Sequence, residues 1–257
     1  MPKEDEVFFS IIIPLTRASH LVKHTLYSIF SQVYSSYEII VVAKRSDHHL
    51  VDILGESKPQ VLLTRGRTDD RAELMNRGVK KARGKYVHFL FPGDTYLSPY
   101  SLLEMHQLLD RKDVDLFYFA YFKREEDVSY AVYNPFSINW LIKVKLLTKV
   151  QSCVFAKKSL VRYDFFSSNY QLVPGLDLAL RIFSDPESKT FFIKKVFCDY
   201  EIRKFTPREV FQKAFETFWV IKKHFGLSKA MRWFLFQDQI QIYFWLKSML
   251  KKAFLKT

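Results

Sequence analysis

Hydrophobic runs alternate with amphipathic stretches along the first half of the chain. Residues 7–13, 37–43, 60–64 and 85–91 are short runs rich in β-branched and aromatic residues, as in buried strands. Residues 18–32, 68–83 and 98–109 carry apolar side chains at helical spacing, with Thr68 as a candidate cap and Gly84 as a stop. This alternation predicts βαβ units and a mostly parallel sheet. Ligands bind beside the carboxyl ends of such strands, here the loops after Ile13, Ala43 and Phe91.

The last part of the chain has a different composition. Residues 206–257 contain two helical patterns broken at Gly226, and the second, residues 228–255, is rich in aromatic and aliphatic residues with lysines between them. The whole chain has a formal net charge of +13. From Glu201 onward there are twelve Lys and Arg against four Asp and Glu, a difference of +8. We therefore predict two domains, residues 1–205 and a basic, aromatic helical extension at 206–257.

The composition also bears on location and partners. The two cysteines predict no disulfide framework, and the apolar runs are shorter than the ~20 residues that span a bilayer. The acidic residues 1–9 do not resemble a signal peptide, so we expect a cytoplasmic protein. Two interpretations of the extension stay open: a helical lid on the core, or peripheral contact with the anionic inner face of a membrane. It lacks the turn chemistry of a base-reading module, so no nucleic-acid partner is expected.

The stretch His88 to Leu97, HFLFPGDTYL, is an apolar run stopped by Pro-Gly-Asp. It predicts a buried strand that ends in a tight turn and presents one carboxylate, Asp94, at the mouth of the sheet. Pro-Gly-Asp also marks ordinary turns, which is the alternative. Its position after the predicted helix at residues 68–83 and the predicted strand at residues 85–91 favours a functional site.

Three longer stretches together resemble a known family. They are SIIIPLTRASHLVKHTLYSIFSQ, LMNRGVKKARGKYVHFLFPGD and QSCVFAKKSLVRYDFFSSNYQLVPGLDLALRI. They are similar to the nucleotide-sugar glycosyltransferases of family 2, in the branch with a Met-Asn-x-Gly pattern and a Gly-Asp turn. The resemblance extends over about residues 9–205. It implies a GT-A-like (Rossmann-like) α/β fold, a mostly parallel sheet flanked by helices, here followed by the C-terminal helical extension.

The resemblance also implies an activity. A hexosyltransferase of this kind moves a sugar from a nucleotide-diphosphate donor to a glycan or glycolipid hydroxyl with inversion, in cell-envelope or surface polysaccharide synthesis. A divalent cation, Mg²⁺ or Mn²⁺, bridges the donor phosphates. The implied donor-binding residues are Pro14, Thr16, Arg17, Lys44, Asn76, Gly93 and Asp94, with Asp94 also the metal ligand. Gln151 and Arg181 are implied on the acceptor side, and Asp177 is the candidate catalytic base.

The chain departs from the family at three usually acidic positions, now Ala43, Phe91 and Gly175. Lys44 either meets phosphates or lies in a solvated loop. Gly175 occupies the usual position of the base, and Asp177 lies two residues further, rotated by about 200° on a helix. Asp177 and Arg181 are four residues apart, so an ion pair that only holds the helix is the alternative. A catalytically silent relative that binds a nucleotide sugar or a partner enzyme is therefore the alternative to an active transferase.

Overall fold

The structure, a computed structural model, describes residues 7–16, 19–44, 61–66, 68, 70–125, 128–132, 149–200 and 205–235. The chain divides into two compact units, Met1–Pro135 with Leu147–Lys204, and Phe136–Leu146 with Phe205–Thr257. The predicted boundary between residues 205 and 206 lies one residue from the last break in this division, between Lys204 and Phe205.

The larger unit is built on one large sheet. Its described strands are β1 (Phe9–Leu15), β2 (Tyr37–Lys44), β3 (Val61–Gly66), β4 (Tyr86–Phe89), β5 (Thr95–Tyr96), β6 (Leu116–Glu125), β7 (Val128–Val132), β8 (Cys153–Ala156), β9 (Thr190–Val196) and β10 (Cys198–Asp199). Its described helices are α1 (Val22–Phe30), α2 (Arg71–Lys81), α3 (Ser101–Leu109), α4 (Lys157–Arg162) and α5 (Pro174–Ser184), with a 3₁₀ turn at Val150–Ser152. The strand order is β3-β2-β1-β4-β8-β6-β7, β9 pairs with β6, and β5 and β10 form a separate pair.

The four strands predicted from the first half of the chain are all present and parallel. β3, β2, β1 and β4 pair in parallel, and this part of the prediction is confirmed. Beyond β4 the sheet becomes mixed, because β8 runs antiparallel to both β4 and β6, whereas β9 is parallel to β6. The sequence analysis did not predict β8. The overall class, an α/β fold with a mostly parallel sheet flanked by helices, is confirmed.

β1 extends two residues beyond the end of the predicted run 7–13. It runs through Pro14 to Leu15, and Pro14 pairs with Val42 of β2. β4 pairs with β1 only from Phe9 to Ile12, so at Pro14 only β2 is paired with the strand. A residue without an N–H group is tolerated where one side of a strand is unpaired.

The helix α2 packs directly on β1 and β2 because of one glycine. A Cβ atom on Gly78 would lie 2.5 Å from Ile12 Cγ2 and 3.2 Å from Val42 Cγ2, so only a glycine allows this close approach. The helix begins at Arg71, and its cap is Asp70, whose Oδ1 accepts a hydrogen bond from Glu73 N (2.8 Å). The prediction of Thr68 as the cap is therefore wrong.

The smaller unit contains α6 (Pro207–Phe225) and α7 (Leu227–Trp233), separated by Gly226 with φ 86°. A capping box starts α6: Thr206 Oγ1 accepts from Glu209 N (3.3 Å), and Glu209 Oε2 accepts from Thr206 N (2.9 Å). The predicted break at Gly226 is confirmed. Most of the second predicted pattern lies outside the described residues. Within the part of the chain that is described, no helix is both long and apolar enough to cross a bilayer.

Candidate donor and acceptor site

The Pro-Gly-Asp sequence forms a closed turn directly after β4. Asp94 N donates to Phe91 O (2.9 Å), and Phe91 N donates to Asp94 Oδ2 (2.6 Å). Gly93 lies between them with φ 96°, a backbone conformation that glycine adopts without strain. The turn is thus fixed by its own backbone and by the Asp94 side chain.

Helix α1 holds this turn through one threonine. Gly93 N donates to Thr25 Oγ1 (2.9 Å), and Thr25 Oγ1 donates to Phe91 O (3.3 Å). Thr25 is fully buried, and a buried hydroxyl needs such partners. Thr25 was not among the residues predicted from the sequence. A polar residue on the apolar face of the predicted helix was the signal that could have found it.

The structure places Asp94 inside the turn and not at its surface. Its side chain is 1% exposed, which corrects the prediction of a carboxylate presented at the mouth of the sheet. The physical reason is that the carboxylate accepts the Phe91 N–H. Mg²⁺ or Mn²⁺ prefers about six oxygen ligands, and among the described residues there is no group of three or more His, Cys, Asp or Glu arranged for a metal. These residues do not by themselves fit a divalent cation, and the metal role of Asp94 stays a prediction.

A cation lies over the aromatic ring that replaces the first acidic position of this turn. The Arg71 guanidinium carbon is 4.6 Å from the centroid of the Phe91 ring. Arg71 is the first residue of α2, so the helix brings a positive charge to the turn. Such a cation is the kind of group that stabilises a leaving diphosphate.

Three other predicted donor residues, Pro14, Thr16 and Lys44, lie at the same edge of the sheet as the turn. Pro14 is buried near the end of β1, and Thr16 follows it, half-buried. Lys44 is the last residue of β2 and pairs with Gly66 at the end of β3. Arg17 and the side chain of Lys44 lie outside the described residues. The structure therefore brings the ends of β1, β2 and β4 together, and the donor roles themselves stay predictions.

Asn76 has a contact that sequence reasoning did not anticipate. Its Nδ2 donates to Phe166 O (2.8 Å), and its Oδ1 accepts from Phe166 N (2.9 Å). Both ends of the amide thus bind the backbone that leads to α5. Asn76 joins α2 to the loop between α4 and α5, and donor binding by this residue stays a prediction.

Helix α5 has no room for a side chain at Gly175, where the resemblance to the family places the catalytic base. Gly175 is in the first turn of α5, and a Cβ atom there would overlap Val150 Cγ2. Gln151 follows Val150 in the 3₁₀ turn, and its carbonyl oxygen lies 2.8 Å from His88 Nε2 and accepts a hydrogen bond from Cys198 Sγ–H (3.1 Å). The role of Gln151 toward an acceptor stays a prediction. The space that a carboxylate would need at residue 175 is filled by Val150.

Asp177 and Arg181 form the ion pair that was the alternative to catalysis. Asp177 is fully buried, and Arg181 Nε lies 3.0 Å from its Oδ2. Arg181 also donates to the carbonyl oxygens of Tyr163 and of Phe165, the latter at 2.7 Å. Asp164 and Phe165 both have φ 53°, which is strained for residues other than glycine. Arg181 thus fixes a strained loop, and the roles of Asp177 as base and Arg181 toward the acceptor stay predictions.

A buried polar cluster lies on the strand that leads into the turn. His88 of β4 is fully buried, and its Nδ1 is 2.8 Å from the hydroxyl oxygen of Tyr96. Burial lowers the pKa of His88 to about 4, so the imidazole is neutral at pH 7. Burial has the opposite effect on the acidic groups of Tyr96 and Cys198, whose pKa values it raises. Cys153 and Cys198 are both free and buried, as predicted.

Comparison with known proteins identifies the family. The model of the family described as glycosyl transferase family 2 matches residues 10–167, more than half of the chain. The chain belongs to glycosyl transferase family 2. The matched segment contains the turn, α2 and the strands whose ends meet at the candidate site. The predicted family is thereby confirmed.

One curated relative of this family 2 chain is the "Uncharacterized glycosyltransferase YibD" of Escherichia coli (strain K12). It is 32% identical over 109 residues, which cover 41% of this chain and 32% of that protein. The match therefore spans about a third of the relative's length.

Solved structures resemble the family 2 chain over most of its length. Residues 1–349 of Staphylococcus aureus TarS superpose with a TM-score of 0.65 at 14% identity, over 90% of this chain and 73% of that one, and TarS is also solved with UDP-GlcNAc. The mannosyltransferase PcManGT of Pyrobaculum calidifontis, in complex with GDP-Man and Mn²⁺, has a TM-score of 0.63 at 15% identity, over 86% and 64%. This likeness confirms the GT-A fold.

Proposed function

We propose that this family 2 chain transfers a hexosyl group from a nucleotide-diphosphate donor to a hydroxyl of a glycan or glycolipid, with inversion at the anomeric carbon. The observation that carries the proposal is the turn from Phe91 to Asp94, held by Thr25 and covered by Arg71. It lies within the family match and at the edge of the sheet where nucleotide ligands bind in parallel α/β folds.

Positively charged residues at this edge of the sheet suit the chemistry of such a donor. Negative charge develops on the diphosphate as its bond to the sugar breaks, and fixed cations stabilise that charge. Arg71 is a described cation next to the turn, and Lys44 ends β2, which is separated from β4 by β1. We assign these two residues to the diphosphate. TarS and PcManGT are solved with UDP-GlcNAc and with GDP-Man, and both donors are of this chemical class.

The acceptor hydroxyl must lose its proton, and a carboxylate that accepts it contributes roughly a hundred- to ten-thousand-fold in rate. Asp177 lies two residues after the usual base position, in the first turn of α5. We keep Asp177 as the candidate base, and Asp177→Asn tests it: donor binding is retained while turnover falls.

The proposed setting is cell-envelope or surface polysaccharide synthesis at the cytoplasmic face of a membrane, with the C-terminal extension in peripheral contact with anionic lipid. A glycolipid acceptor is confined to a membrane, so an enzyme held at its surface meets this acceptor at a higher local concentration. The basic balance of the extension supports the setting.

A second function is favoured by one specific observation. Val150 fills the space beside Gly175 that a carboxylate at the base position would need. A chain without this base could bind a nucleotide sugar, or pair with an active enzyme, and transfer nothing. Nucleotide binding alone does not separate the two functions, whereas turnover does.

The experiment has two readouts on the full chain. Thermal unfolding is followed during titration with UDP, GDP and CDP, in EDTA and in Mn²⁺, which also tests the predicted divalent cation. A ligand at a hundred times its dissociation constant stabilises the folded state by about 2.7 kcal/mol. We expect one diphosphate to raise the unfolding temperature saturably, and Arg71→Met to weaken this effect. Stabilisation by none of the three refutes donor binding.

Turnover is then measured as nucleotide released from the matching nucleotide sugar in the presence of a glycan or glycolipid extract. Release that depends on the extract supports the transferase. Saturable binding without any release supports the silent relative. Asp177→Asn is the matched variant, because it removes a charge without changing the size of the side chain.

A further inference from the structure

Helix α6 exposes a stripe of aromatic rings on the face turned away from α7. Phe211, Phe215 and Trp219 are 48%, 61% and 41% exposed, and their spacing of four places them on one side of the helix. The opposite side carries Thr217, Val220 and Ile221, which are buried, and Ile221 packs with Ala230 and Trp233 of α7. The contact between the two helices therefore does not use the stripe.

Basic residues lie at both ends of this aromatic stripe. Arg208 precedes Phe211 by three residues and Lys222 follows Trp219 by three, a spacing that puts both cations on the same face. Lys222 Nζ lies 4.2 Å from the centroid of the Trp219 ring. The face thus combines apolar rings with positive charge.

The two acidic residues of α6 do not balance these charges. Glu209 is held in the capping box with Thr206, and Glu216 is buried and accepts a hydrogen bond from Gln212 Nε2 (2.8 Å). Both lie about 100° or more from Phe215 around the helix axis. Among the charged residues of α6, Arg208 and Lys222 therefore lie nearest to the centre of this face, and both carboxylates lie to its sides.

The net charge of the rest of the chain favours an anionic bilayer over a second copy of the chain as the partner of this face. Residues from 201 onward carry +8 of the total of +13, which leaves +5 on the remainder. Like charge opposes docking of the stripe on a second copy of the chain. An anionic bilayer offers both the opposite charge and an apolar boundary layer, and Phe and Trp favour that layer.

We propose that the face of α6 bearing Phe211, Phe215 and Trp219, between Arg208 and Lys222, binds the surface of an anionic lipid bilayer with the helix axis in the plane of the membrane. The proposal deepens the membrane setting proposed above and rests on that setting alone, not on sugar transfer. Membrane contact was predicted for the extension as a whole, residues 206–257. Most of residues 228–255 lies outside the described residues, and the proposal concerns the preceding helix α6.

The test is sedimentation of the full chain with lipid vesicles. Vesicles of phosphatidylcholine with roughly one third phosphatidylglycerol are compared with pure phosphatidylcholine at low and at high salt. We expect binding to the anionic vesicles that weakens with salt. The double variant Phe215→Ser/Trp219→Ser should lower partitioning by about tenfold or more, because two rings leave the interface. Arg208→Gln/Lys222→Gln should also lower it by about tenfold or more, because two cations are lost.

Tyr27→Ser is the matched control. Tyr27 lies on α1 in the larger unit and is 76% exposed, so its substitution removes a ring that is more exposed than Phe215 or Trp219. Partitioning of this control should equal that of the unmodified chain. No sugar donor enters the assay, so its failure leaves sugar transfer standing, and failure of nucleotide binding leaves the vesicle result standing.

Three outcomes overturn the proposal. The first is equal binding by the ring variant and the unmodified chain, or no binding to anionic vesicles by the unmodified chain. The second is a change in sedimentation coefficient in the ring variant without lipid, which assigns the face to a second copy. The third is a lower unfolding temperature of the ring variant, which assigns the face to packing within the chain.

Discussion

Gly175→Ala is expected to destabilise the protein, because Val150 occupies the space that the new methyl group needs. An ideal Cβ atom at residue 175 overlaps Val150 Cγ2 and lies 3.7 Å from Val150 Cβ. Val150 is β-branched and belongs to a short 3₁₀ turn, so relief requires a change of rotamer or a shift of backbone.

The magnitude follows from two opposing effects. Overpacking of this kind costs about 1–3 kcal/mol. Replacing a helical glycine by alanine recovers about 0.5–1 kcal/mol. Because the overlap is direct, the cost of overpacking lies in the upper half of its range, about 2–3 kcal/mol. The net loss in the free energy of unfolding is then about 1–2.5 kcal/mol, which lowers the midpoint of thermal unfolding by about 2–10 °C in a chain of this size. Thermal and urea unfolding of the full chain both measure it.

Val150→Ala is the matched control for this contact. If Val150 is the obstacle, Gly175→Ala in the Val150→Ala background should cost nothing further, with a coupling energy of about 1 kcal/mol or more. Additive effects of the two substitutions, or a Gly175→Ala variant as stable as the unmodified chain, would refute the view that Val150 excludes a side chain from the usual base position.

Three further predictions concern charged or titratable groups. Asp94→Asn keeps an oxygen that can accept the Phe91 N–H, so the unfolding temperature should change little while turnover falls by about a hundredfold; full activity of this variant would remove Asp94 from the chemistry. His88 stays neutral in the folded state down to a pKa of about 4, whereas the unfolded chain takes up a proton near 6.5, so stability should fall by about 3 kcal/mol as the pH drops from 6.5 to 4. In urea unfolding across that range, the stability of His88→Gln should fall less steeply with pH than that of the unmodified chain. The same pH dependence of stability in both chains would contradict the assignment of this effect to His88. Arg181→Met removes the guanidinium that pairs with the buried Asp177 carboxylate and should cost about 3–5 kcal/mol in urea unfolding, whereas Asp177→Asn/Arg181→Met should cost less than the single variant.

The parallel half of the fold is readable from the sequence because each of its strands is a continuous apolar run. β1, β2 and β4 are covered on both faces, so their residues need not alternate, and length and flanking turn residues set their limits. β8 was missed because four residues, Cys153 to Ala156, carry too little periodicity to separate from a loop. Its pairing with β4 depends on contacts between distant parts of the chain, which local patterns do not encode.

The position of the candidate site was predicted from the sequence, whereas the contacts that its residues make were not. The turn after β4 followed from Pro-Gly-Asp, but the direction of the Asp94 carboxylate depends on a hydrogen bond to Phe91 N that spacing alone cannot reveal. The pairing of Asn76 with Phe166 joins residues 90 positions apart. The Asp177–Arg181 pair was predictable because both partners lie on one helix, four residues apart.

The residues that preserve the fold cannot decide between an active transferase and a silent relative. Gly78, Thr25 and Asn76 keep helices and loops in place, and a chain that only binds a nucleotide sugar needs them equally. The two functions differ only where charge must change during the reaction. Substitutions of Arg71 and Asp177 are therefore the informative ones, since binding of a diphosphate needs the cation whereas transfer also needs a group that takes the proton of the acceptor.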